Sequence, residues 1–448
     1  MSLIEFKTTE NRTPTACIAC NDIGDSKYFV QIENTIFRKC ESCQSFSVID
    51  RSMVNENYQN LSSDFWINYV EMNAGIEAMI SFVERCLLGT HIGSFIDVGC
   101  GFGFGFVVDY FKKAYGAKSL GLEKSSYGKV GAEKLNIDIR PEYSDEFCAI
   151  NNAKFDVVYS SEVIEHVEDP LKSLKYLKEL CNINGRVIIT TPNSKFINHN
   201  SDDAVLHAAL SPGNHYFVIS PEKLNHLMIN AGFLNVKIVE INERILATAS
   251  VESSTGTIIN DSFERSKYIE YLMSLERNDD LIISNSATVK LYKEFINMGD
   301  YNSAHPKWEK LNRHFIQYRG FDIDQFDASL LDGLHDLKDY TKLLPYYFGV
   351  LKFYRAMHLI NHCGRRSSML HLFLTVTKIL SKEVQLNFSS FQESNSLIEN
   401  AKFHTALGIL PFTESLLSDS EKFSKFWRER FNKEVLEQLR NLVGRSPV

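Results

Sequence analysis

Short apolar runs, separated by more polar helix-forming stretches, follow one another between residues 90 and 250. Continuous apolar runs bounded by turn-forming residues are typical of strands that are buried on both faces of a parallel sheet. The strands predicted in this way end at Asp97 and Glu123 or span Phe155–Tyr159 and Arg186–Thr191. Two further β runs, Asn235–Glu240 and Arg244–Ala249, are separated by three residues, which predicts an antiparallel hairpin at the sheet edge.

A glycine-rich loop follows the first of these strands. Four glycines stand at alternate positions in the sequence SFIDVGCGFGFG, residues 94–105. Glycine has no Cβ and tolerates positive φ, so a ligand can lie against this backbone and against the helix predicted at residues 106–115. The spacing does not fit the dinucleotide fingerprint, and no Gly-Lys-Ser/Thr follows as a P-loop requires. The loop therefore predicts a different nucleotide-like ligand.

This loop resembles the first motif of class I S-adenosylmethionine-dependent methyltransferases, in which an acidic residue precedes alternating glycines. A second acidic residue, Glu123, ends the next strand, where doubly wound folds place a carboxylate for ribose hydroxyls. The segment SSEVIEHV at residues 160–167 resembles the fourth-strand motif of the subgroup that contains the quinone-biosynthesis methyltransferases. The sequences HYF, SPE and AGF at residues 215–217, 220–222 and 231–233 also follow in the order of that subgroup.

The resemblance implies an α/β fold with a Rossmann-like seven-stranded sheet and an antiparallel edge hairpin, and S-adenosylmethionine as the cofactor. The loop would wrap the methionine portion and the ribose of the cofactor. The cofactor-binding residues predicted in this way are Asp97, Gly99, Cys100, Gly101, Gly103, Glu123, Lys124 and Ser160. Asp145 and Glu146 lie where this family often contacts the adenine amino group.

A base is the other requirement of this chemistry. Methyl transfer is an in-line displacement in which positioning supplies most of the rate, but an oxygen, carbon or protonated nitrogen acceptor must also lose a proton. Histidine suits this role near neutral pH. The candidates after the fourth and fifth strands are His166, His199, His207 and His215. The resemblance puts His215 close to the acceptor, so His215 and Tyr216 are the predicted catalytic residues; the alternative is a structural His215. For Glu162 and Glu165 a capping or salt-bridge role is favoured over catalysis.

Two Cys-x-x-Cys pairs lie near the N-terminus, Cys17 with Cys20 and Cys40 with Cys43, and nineteen residues separate them. Two thiolate pairs at this spacing are typical of a four-cysteine zinc site; the alternatives are unrelated cysteines or two disulfides. A closed four-sulfur site has no open coordination position, so the predicted zinc is structural. A zinc ribbon ahead of such a domain also resembles enzymes of sugar and surface-polysaccharide biosynthesis, including deoxysugar C-methyltransferases.

Chain length, charge and apolar content limit the number of domains and the kinds of acceptor that the sequence allows. The 448-residue chain is long enough for about two or three domains. A net charge of −8 argues against a general nucleic-acid or anionic-membrane surface and favours small-molecule or glycan acceptors. The N-terminal residues lack an apolar leader, and the longest apolar stretch, residues 369–380, is too short for a membrane span. We therefore expect a soluble cytoplasmic protein whose remaining cysteines are reduced.

The predicted organisation has three parts. These are a zinc ribbon at residues 1–50, a methyltransferase domain at 51–250 with a helical connector at 64–88, and a mostly α-helical domain at 263–448. Helical spacing of apolar residues is clear, for example, at Trp427, Phe431, Val435 and Leu439. The sequence leaves three roles open for the last domain: dimerisation, covering of the active site and docking of a partner. For Arg365 and Arg366 a solvated turn is favoured over a phosphate clamp.

The sequence thus predicts an S-adenosylmethionine-dependent methyltransferase that acts on a small molecule or sugar, including a nucleotide-linked sugar or glycan, in surface-polysaccharide or natural-product biosynthesis. An enzymatic alternative keeps the cofactor and changes the acceptor to a quinone-like phenol or an amine. A second alternative is a non-catalytic scaffold with a partner-binding helical tail. The intact set of Asp97, Gly99, Gly101 and Glu123 argues against the scaffold.

Overall fold

The structure is a computed structural model of the chain. The residues that it describes are 4–8, 15–24, 28–54, 63–73, 76–88, 90–101, 103–252, 258–261, 263–364, 368–387 and 389–409. Their contacts divide the chain into two compact units. The sheet unit falls within residues 1–62 and 75–271, and the helical unit falls within residues 63–74 and 272–448.

Strands and helices alternate through most of the sheet unit, which is the order of a doubly wound α/β fold. The strands are β1 (Ile4–Thr8), β2 (Tyr28–Ile32), β3 (Thr35–Lys39), β4 (Phe46–Val48), β5 (Ser94–Val98), β6 (Lys118–Leu122), β7 (Ile139–Arg140), β8 (Phe155–Ser161), β9 (Cys181–Pro192), β10 (Phe217–Val218), β11 (Leu234–Ile241) and β12 (Arg244–Ser250). The helices are α1 (Ser63–Asn73), α2 (Glu77–Glu84), α3 (Phe106–Ala114), α4 (Ser126–Leu135), α5 (Ser144–Ile150), α6 (Pro170–Leu180), α7 (Asp203–Leu210), α8 (Pro221–Asn230), α9 (Arg265–Leu275), α10 (Leu281–Asn297), α11 (Tyr301–Arg319), α12 (Leu337–Leu343), α13 (Phe348–Asn361), α14 (Met369–Leu386) and α15 (Gln392–Ile409).

The larger sheet has seven strands in the order β11-β12-β9-β8-β5-β6-β7. The five strands from β9 to β7 in this order pair in parallel, whereas β12 runs antiparallel to both β9 and β11. Apolar side chains of the central strands, such as Phe95, Ile96, Val157 and Val158, are fully buried, as expected for strands covered on both faces. The predicted seven-stranded sheet and its antiparallel edge hairpin are confirmed.

A smaller antiparallel sheet has the order β1-β2-β3-β4-β10. Its first four strands come from the N-terminal residues, but β10 lies between α7 and α8, far along the chain. Phe217 of β10 pairs with Ser47 of β4, and Val218 pairs with Phe46. The backbone of the cysteine-containing region, which we call the ribbon (residues 15–50), is therefore paired directly with a segment of the larger fold. Sequence patterns do not reveal this link because β10 has only two residues.

The predicted helical connector at residues 64–88 is divided between the two units. Helix α2 belongs to the sheet unit, whereas α1 belongs to the helical unit. There the buried carboxylate of Glu71 accepts a 2.7 Å hydrogen bond from the backbone N–H of Tyr346, which ties α1 to its own unit. The predicted domain boundaries therefore differ from this grouping at α1.

The predicted helical character of the C-terminal region is confirmed by α10 to α15. The pattern predicted at residues 427–439 lies outside the described residues, as do Arg365 and Arg366. Among the helices that the structure describes, none has the length and apolar character needed to cross a lipid bilayer.

A carboxylate lies in the core of the helical unit. Glu383 of α14 is fully buried and accepts hydrogen bonds from the Tyr340 hydroxyl, the Gly349 N–H and the Ser394 hydroxyl. Burial raises the pKa of Glu383 to about 7, although these three donors oppose the rise. The folded state therefore binds the proton of Glu383 more tightly than the unfolded state does.

We expect Glu383→Gln to reduce the pH dependence of the helical unit's stability. Because the pKa of Glu383 is raised on folding, its contribution is favourable at acid pH and is lost as the pH rises through about 7. The amide of the introduced glutamine cannot ionise, so the variant should exceed wild type at pH 8 by on the order of 1–3 kcal/mol and lose this advantage at pH 5.

Urea unfolding followed by tryptophan fluorescence measures this effect, because the three tryptophans, Trp66, Trp308 and Trp427, all fall in the residue ranges of the helical unit. The control is Glu399→Gln, which changes a partly exposed carboxylate paired with Lys402. Equal pH dependence in wild type and Glu383→Gln would show that Glu383 does not titrate on unfolding.

Candidate functional site

The glycine loop lies where the parallel strands end. The N–H groups of Gly99 and Cys100 donate to the carbonyl oxygen of Leu122 at 2.8 and 3.3 Å, which ties the loop to the end of β6. The N–H of Glu123 in turn donates to the carbonyl of Arg140 at the end of β7 at 2.9 Å. The carboxyl ends of β5, β6 and β7 therefore meet at one edge of the sheet, where open α/β folds bind their ligands.

A cavity of about 490 Å³ opens at this edge. Its walls come from the ends of β5 and β6, from the segments that follow β5, β6, β7 and β8, and from Asn214, which precedes β10. The residues that line it are Val98, Gly99, Gly101, Leu122, Glu123, Lys124, Ser125, Tyr127, Glu142, Tyr143, Ser144, Asp145, Glu162, Val163, His166, Val167, Glu168, Asp169, Lys172, Ser173, Tyr176 and Asn214. Cavities of this size hold drug-sized or cofactor-sized molecules.

Four of the predicted cofactor residues line this cavity: Gly99, Gly101, Glu123 and Lys124. The other four lie outside the wall formed by the described residues, namely Asp97, Cys100, Gly103 and Ser160. Asp97 and Ser160 are buried in β5 and β8. Burial, and next the neighbouring charge of Glu123, raise the pKa of Asp97 to about 8. The two predicted acidic residues are therefore close enough to interact, but only Glu123 faces the cavity.

The contact between Gly101 and Glu123 explains why glycine stands at residue 101. A Cβ on residue 101 would lie 2.3 Å from Oε2 of Glu123, which is shorter than any ordinary contact. Oε1 of the same carboxylate accepts a 2.7 Å hydrogen bond from the N–H of Ser125. The carboxylate is thus held against bare backbone at the cavity wall, as a ligand with ribose hydroxyls requires.

The wall beyond Glu123 is fixed by an ion pair. Lys124 pairs with Glu146, and its ammonium lies 4.6 Å from the centre of the Tyr143 ring. Glu146 also accepts a 2.8 Å hydrogen bond from the backbone N–H of Tyr143 at the start of α5. Tyr143 and Asp145 are held in the wall by this arrangement, whereas Glu146 is not among its described lining residues.

Glu162, for which the sequence favours a capping or salt-bridge role, lines the cavity. Its carboxylate accepts a 3.1 Å hydrogen bond from Thr190 and pairs with Arg244 at 3.4 Å, which agrees with the predicted salt-bridge role. Burial nevertheless raises the pKa of Glu162. A partly desolvated carboxylate in a cavity wall is a candidate proton acceptor.

The two predicted catalytic residues do not belong to the described part of the cavity wall. His166 lines the cavity, whereas His215 and Tyr216 are buried outside the wall formed by the described residues. The rings of His166 and His215 meet edge to face with centres 4.6 Å apart. Burial, and next the nearby His166, lower the pKa of His215 to about 3. Tyr216 donates its N–H to the carbonyl of Glu165 at 2.9 Å and lies beside β10.

The first turns of α6 form a part of the cavity wall that the sequence did not predict. Lys172, Ser173 and Tyr176 face the cavity from this helix. Asp169 caps the helix by accepting a 2.9 Å hydrogen bond from the N–H of Lys172, and Pro170 follows it. The sequence Asp-Pro is a helix-start signal that could have placed these side chains at the carboxyl end of β8.

The four cysteines of the ribbon come together as predicted from their spacing. Their sulfurs all lie within 4.8 Å of one another. The sulfurs of Cys17 and Cys43 are 3.7 Å apart, and those of Cys20 and Cys40 are 3.5 Å apart. Thiolates about 2.3 Å from one tetrahedral zinc ion lie about 3.8 Å from each other. The cluster therefore has the size that a four-sulfur zinc site requires.

The two Cys-x-x-Cys turns share one backbone geometry. Asn21 donates its N–H to the carbonyl of Cys17 at 2.7 Å, and Gln44 donates to the carbonyl of Cys40 at 2.8 Å. Asn21 and Gln44 also have matching positive φ values of 61° and 60°. Two equivalent turns bring all four sulfurs together, and this arrangement is compatible with a four-sulfur metal centre.

Comparison with known proteins identifies a domain within the chain. Residues 72–238 match the family model described as a methyltransferase domain. A ubiquinone biosynthesis O-methyltransferase of Dictyostelium discoideum is 31% identical over 119 residues, which cover 23% of this chain and 36% of that protein. A tRNA U34 carboxymethyltransferase of Campylobacter concisus is 28% identical over 214 residues, which cover 42% of this chain and 69% of that protein.

The matches to the ubiquinone biosynthesis O-methyltransferases cover less than half of those proteins. The chain spans 36% of the Dictyostelium discoideum protein and 44% of a ubiquinone biosynthesis O-methyltransferase of Aromatoleum aromaticum. Among solved structures, a SAM-dependent methyltransferase from Archaeoglobus fulgidus aligns with 42% of this chain and 99% of its own, with 16% identity and a TM-score of 0.34.

Proposed function

Because residues 72–238 form an S-adenosylmethionine-dependent methyltransferase domain, we propose that the protein transfers a methyl group from this cofactor to a hydroxyl group of a small-molecule acceptor. The observation that carries the proposal is the Glu123 carboxylate held against Gly101 in the wall of a 490 Å³ cavity. When bound, S-adenosylmethionine supplies a sulfonium methyl group to a nucleophile placed in line with it.

In this proposal the residues of the glycine loop bind the cofactor from one side of the cavity. Glu123 accepts hydrogen bonds from the ribose hydroxyls, while Gly99 and Gly101 leave the backbone open to the rest of the molecule. Asp145 lies on the same wall as Glu123 and is proposed to contact the adenine amino group. Asp97 is buried in β5 and does not line the cavity, so we propose no direct contact between its side chain and the cofactor.

The charge of the cavity favours a neutral acceptor. The charged side chains among its described lining residues are the carboxylates of Glu123, Glu142, Asp145, Glu162, Glu168 and Asp169 and the ammonium groups of Lys124 and Lys172. Such a wall attracts the cationic sulfonium and repels a phosphate-bearing substrate. We therefore propose a neutral sugar or glycan hydroxyl as the acceptor in preference to a nucleotide diphosphate sugar. A quinone-like phenol is the second candidate, because relatives are named ubiquinone biosynthesis O-methyltransferases.

On the acceptor side we propose that Glu162 and His166 face the acceptor hydroxyl. The burial that raises the pKa of Glu162 makes its carboxylate a better proton acceptor than an exposed one. His215 and Tyr216, the predicted catalytic residues, act through their neighbours: His215 packs on the His166 ring, and Tyr216 holds the backbone of Glu165. We therefore assign them positioning roles.

We further propose that Cys17, Cys20, Cys40 and Cys43 hold a structural zinc ion. Four clustered sulfurs with matching turns support this assignment, and a site closed by four thiolates has no position for a substrate. The ion would stabilise the ribbon and leave the chemistry to the cavity of the larger sheet.

Calorimetric titration tests the proposal. We expect S-adenosylmethionine and S-adenosylhomocysteine to bind the full chain with micromolar affinity, about −8 kcal/mol, and NAD not to bind. Release of S-adenosylhomocysteine is then measured with neutral monosaccharides, glycans, a catechol and a primary amine. Turnover with the catechol alone would show that the acceptor is a phenol and not a sugar. Absence of cofactor binding by folded protein would overturn the proposed function and favour the scaffold.

A further inference from the structure

The backbone of Tyr216 links the ribbon to one wall of the cavity. The N–H of Val48 in β4 donates to the carbonyl of Tyr216 at 2.9 Å, and the N–H of Tyr216 donates to the carbonyl of Glu165 at 2.9 Å. One residue therefore connects the last ribbon strand with the segment that follows β8. The residue after Glu165 is His166, which lines the cavity.

The orientation of the His166 ring depends on the residues just before Tyr216. Nδ1 of His166 lies 3.0 Å from the carbonyl oxygen of Asn214, and because a carbonyl only accepts hydrogen bonds, the neutral ring carries its proton on Nδ1. The ring also meets the buried ring of His215 edge to face, with centres 4.6 Å apart. His215 is fixed in turn, because its Nδ1 donates to the carbonyl of Ala209 at 2.8 Å.

Buried serine hydroxyls hold the two ends of this segment on the ribbon. At one end the hydroxyl of Ser220 donates to the carbonyl of Cys43 at 2.6 Å, and the N–H of Ser220 donates to the hydroxyl of Ser45 at 3.1 Å. At the other end the hydroxyl of Ser194 donates to the carbonyl of Gln44 at 2.9 Å. All three serines are buried. Loss of such a bond leaves a buried polar group without its partner, which is costly, so the segment should follow any movement of the ribbon.

We propose that the ribbon positions His166 and Asn214, two lining residues that we call the acceptor wall, independently of the cofactor-binding residues. Glu123 follows β6, whereas His166 follows β8, and β5 separates these two strands in the sheet. Glu123 is held by its bond to the N–H of Ser125. A change in the ribbon should therefore alter the acceptor wall and leave Glu123 in place. The part of this wall in acceptor binding rests on the proposed function, but its dependence on the ribbon does not.

Two variants of the full-length protein weaken this link without changing a cavity residue. Ser45→Ala removes the hydroxyl that accepts from the N–H of Ser220. Ser194→Ala removes the anchor at the other end of the segment. The matched control is Ser42→Ala, which removes an exposed hydroxyl of the second cysteine turn that donates to Asp22 inside the ribbon.

Hydrogen exchange and the ring nitrogens of His166 report on the acceptor wall without an activity measurement. In both anchor variants, peptides that cover residues 163–168 and 211–216 should exchange at least about threefold faster than in wild type, whereas the peptide that covers residues 118–124 should not change. The ¹⁵N chemical shifts of His166, assigned with His166→Gln, should show the Nδ1-protonated form in wild type. Both anchor variants should show a mixture of the two neutral forms, because the bond to Asn214 is lost.

Calorimetry separates this proposal from the proposed function. The affinity of both anchor variants for S-adenosylmethionine should stay within about twofold of the wild-type value. Wild-type exchange rates and an unchanged His166 ring in both anchor variants would overturn the positioning role. Faster exchange at residues 118–124 as well, or an equal effect in Ser42→Ala, would indicate general destabilisation and would also overturn it. Failure of the wild type to bind the cofactor would remove the proposed function and leave the effect of the ribbon on His166 standing.

Discussion

Removal of the zinc ion that we propose for the four-cysteine site is expected to unfold the ribbon and to release residues 216–220 of the larger fold. The ribbon strands β2, β3 and β4 have only five, five and three residues, which is too little to persist without a crosslink. Apparent zinc-binding free energies of small domains are about 10–16 kcal/mol, many times the contribution of a single hydrogen bond. Among the changes considered, this one should have the largest effect on stability.

Unfolding of the ribbon should reach the larger fold through specific hydrogen bonds. The hydroxyl of Ser220 donates to the carbonyl of Cys43 at 2.6 Å, and its N–H donates to the hydroxyl of Ser45 at 3.1 Å. The hydroxyl of Ser194 donates to the carbonyl of Gln44 at 2.9 Å. The second cysteine turn therefore anchors both ends of the segment between β9 and α8, which also carries His215.

Hydrogen exchange measured by mass spectrometry before and after metal extraction checks this expectation. Peptides that cover residues 28–48 and 216–220 should lose protection, while β5 and α14 keep theirs. Cys43→Ser should reproduce the loss, and the matched control Cys363→Ser, at an exposed cysteine of the helical unit, should not. Unchanged protection in the metal-free protein would mean that the cysteines do not support the segment.

The sequence predicted those structural elements that depend only on residues close together in the chain. Parallel strands, the edge hairpin and the cysteine turns each follow from periodicity or spacing within a few residues, and the structure contains all of them. Recognition of the methyltransferase domain depended on the same local motifs, and the family match at residues 72–238 confirms it. Gly101 and Glu123, two of the predicted cofactor-binding residues, line the cavity because their motif positions follow the ends of β5 and β6.

The features that the sequence did not predict depend on long-range contacts. Helix α1 joins the helical unit through the bond between Glu71 and Tyr346, which are 275 residues apart. Glu165 and His215 lie far apart in the sequence but close together in the fold, where the N–H of Tyr216 donates to the carbonyl of Glu165. The helix-start sequence formed by Asp169 and Pro170 is a local signal, but its relation to the cavity depends on the sheet order.

The two neighbouring glycines of the loop differ sharply in what an added methyl group would meet. At Gly101 the nearest atom is Oε2 of Glu123 at 2.3 Å, whereas at Gly103 it is the carbonyl oxygen of Cys100 at 3.6 Å. Sequence motifs treat both as cofactor-binding residues. The packing assigns close approach only to Gly101.

We therefore expect Gly101→Ala to weaken S-adenosylmethionine binding by about 100-fold, close to 2.7 kcal/mol. The new methyl group must displace the Glu123 carboxylate, and each hydrogen bond to a charged group contributes about 1.5–3 kcal/mol. The clash is with the end of a side chain, so the variant should still fold. Gly103→Ala, the matched control, should change the affinity by no more than about twofold.

Calorimetric titration of the two variants separates the role of Glu123 from general damage to the loop. Thermal unfolding of each variant, recorded without cofactor, serves as the folding control. Equal losses in Gly101→Ala and Gly103→Ala would mean that the whole loop backbone contacts the cofactor and that the Glu123 contact is not special. Full affinity in Gly101→Ala would show that the cofactor does not use the Glu123 carboxylate in its present position, and the ribose assignment would then be wrong. The predicted difference between Gly101 and Gly103 follows only if the Glu123 carboxylate, held against the backbone of Gly101, determines where the ribose binds.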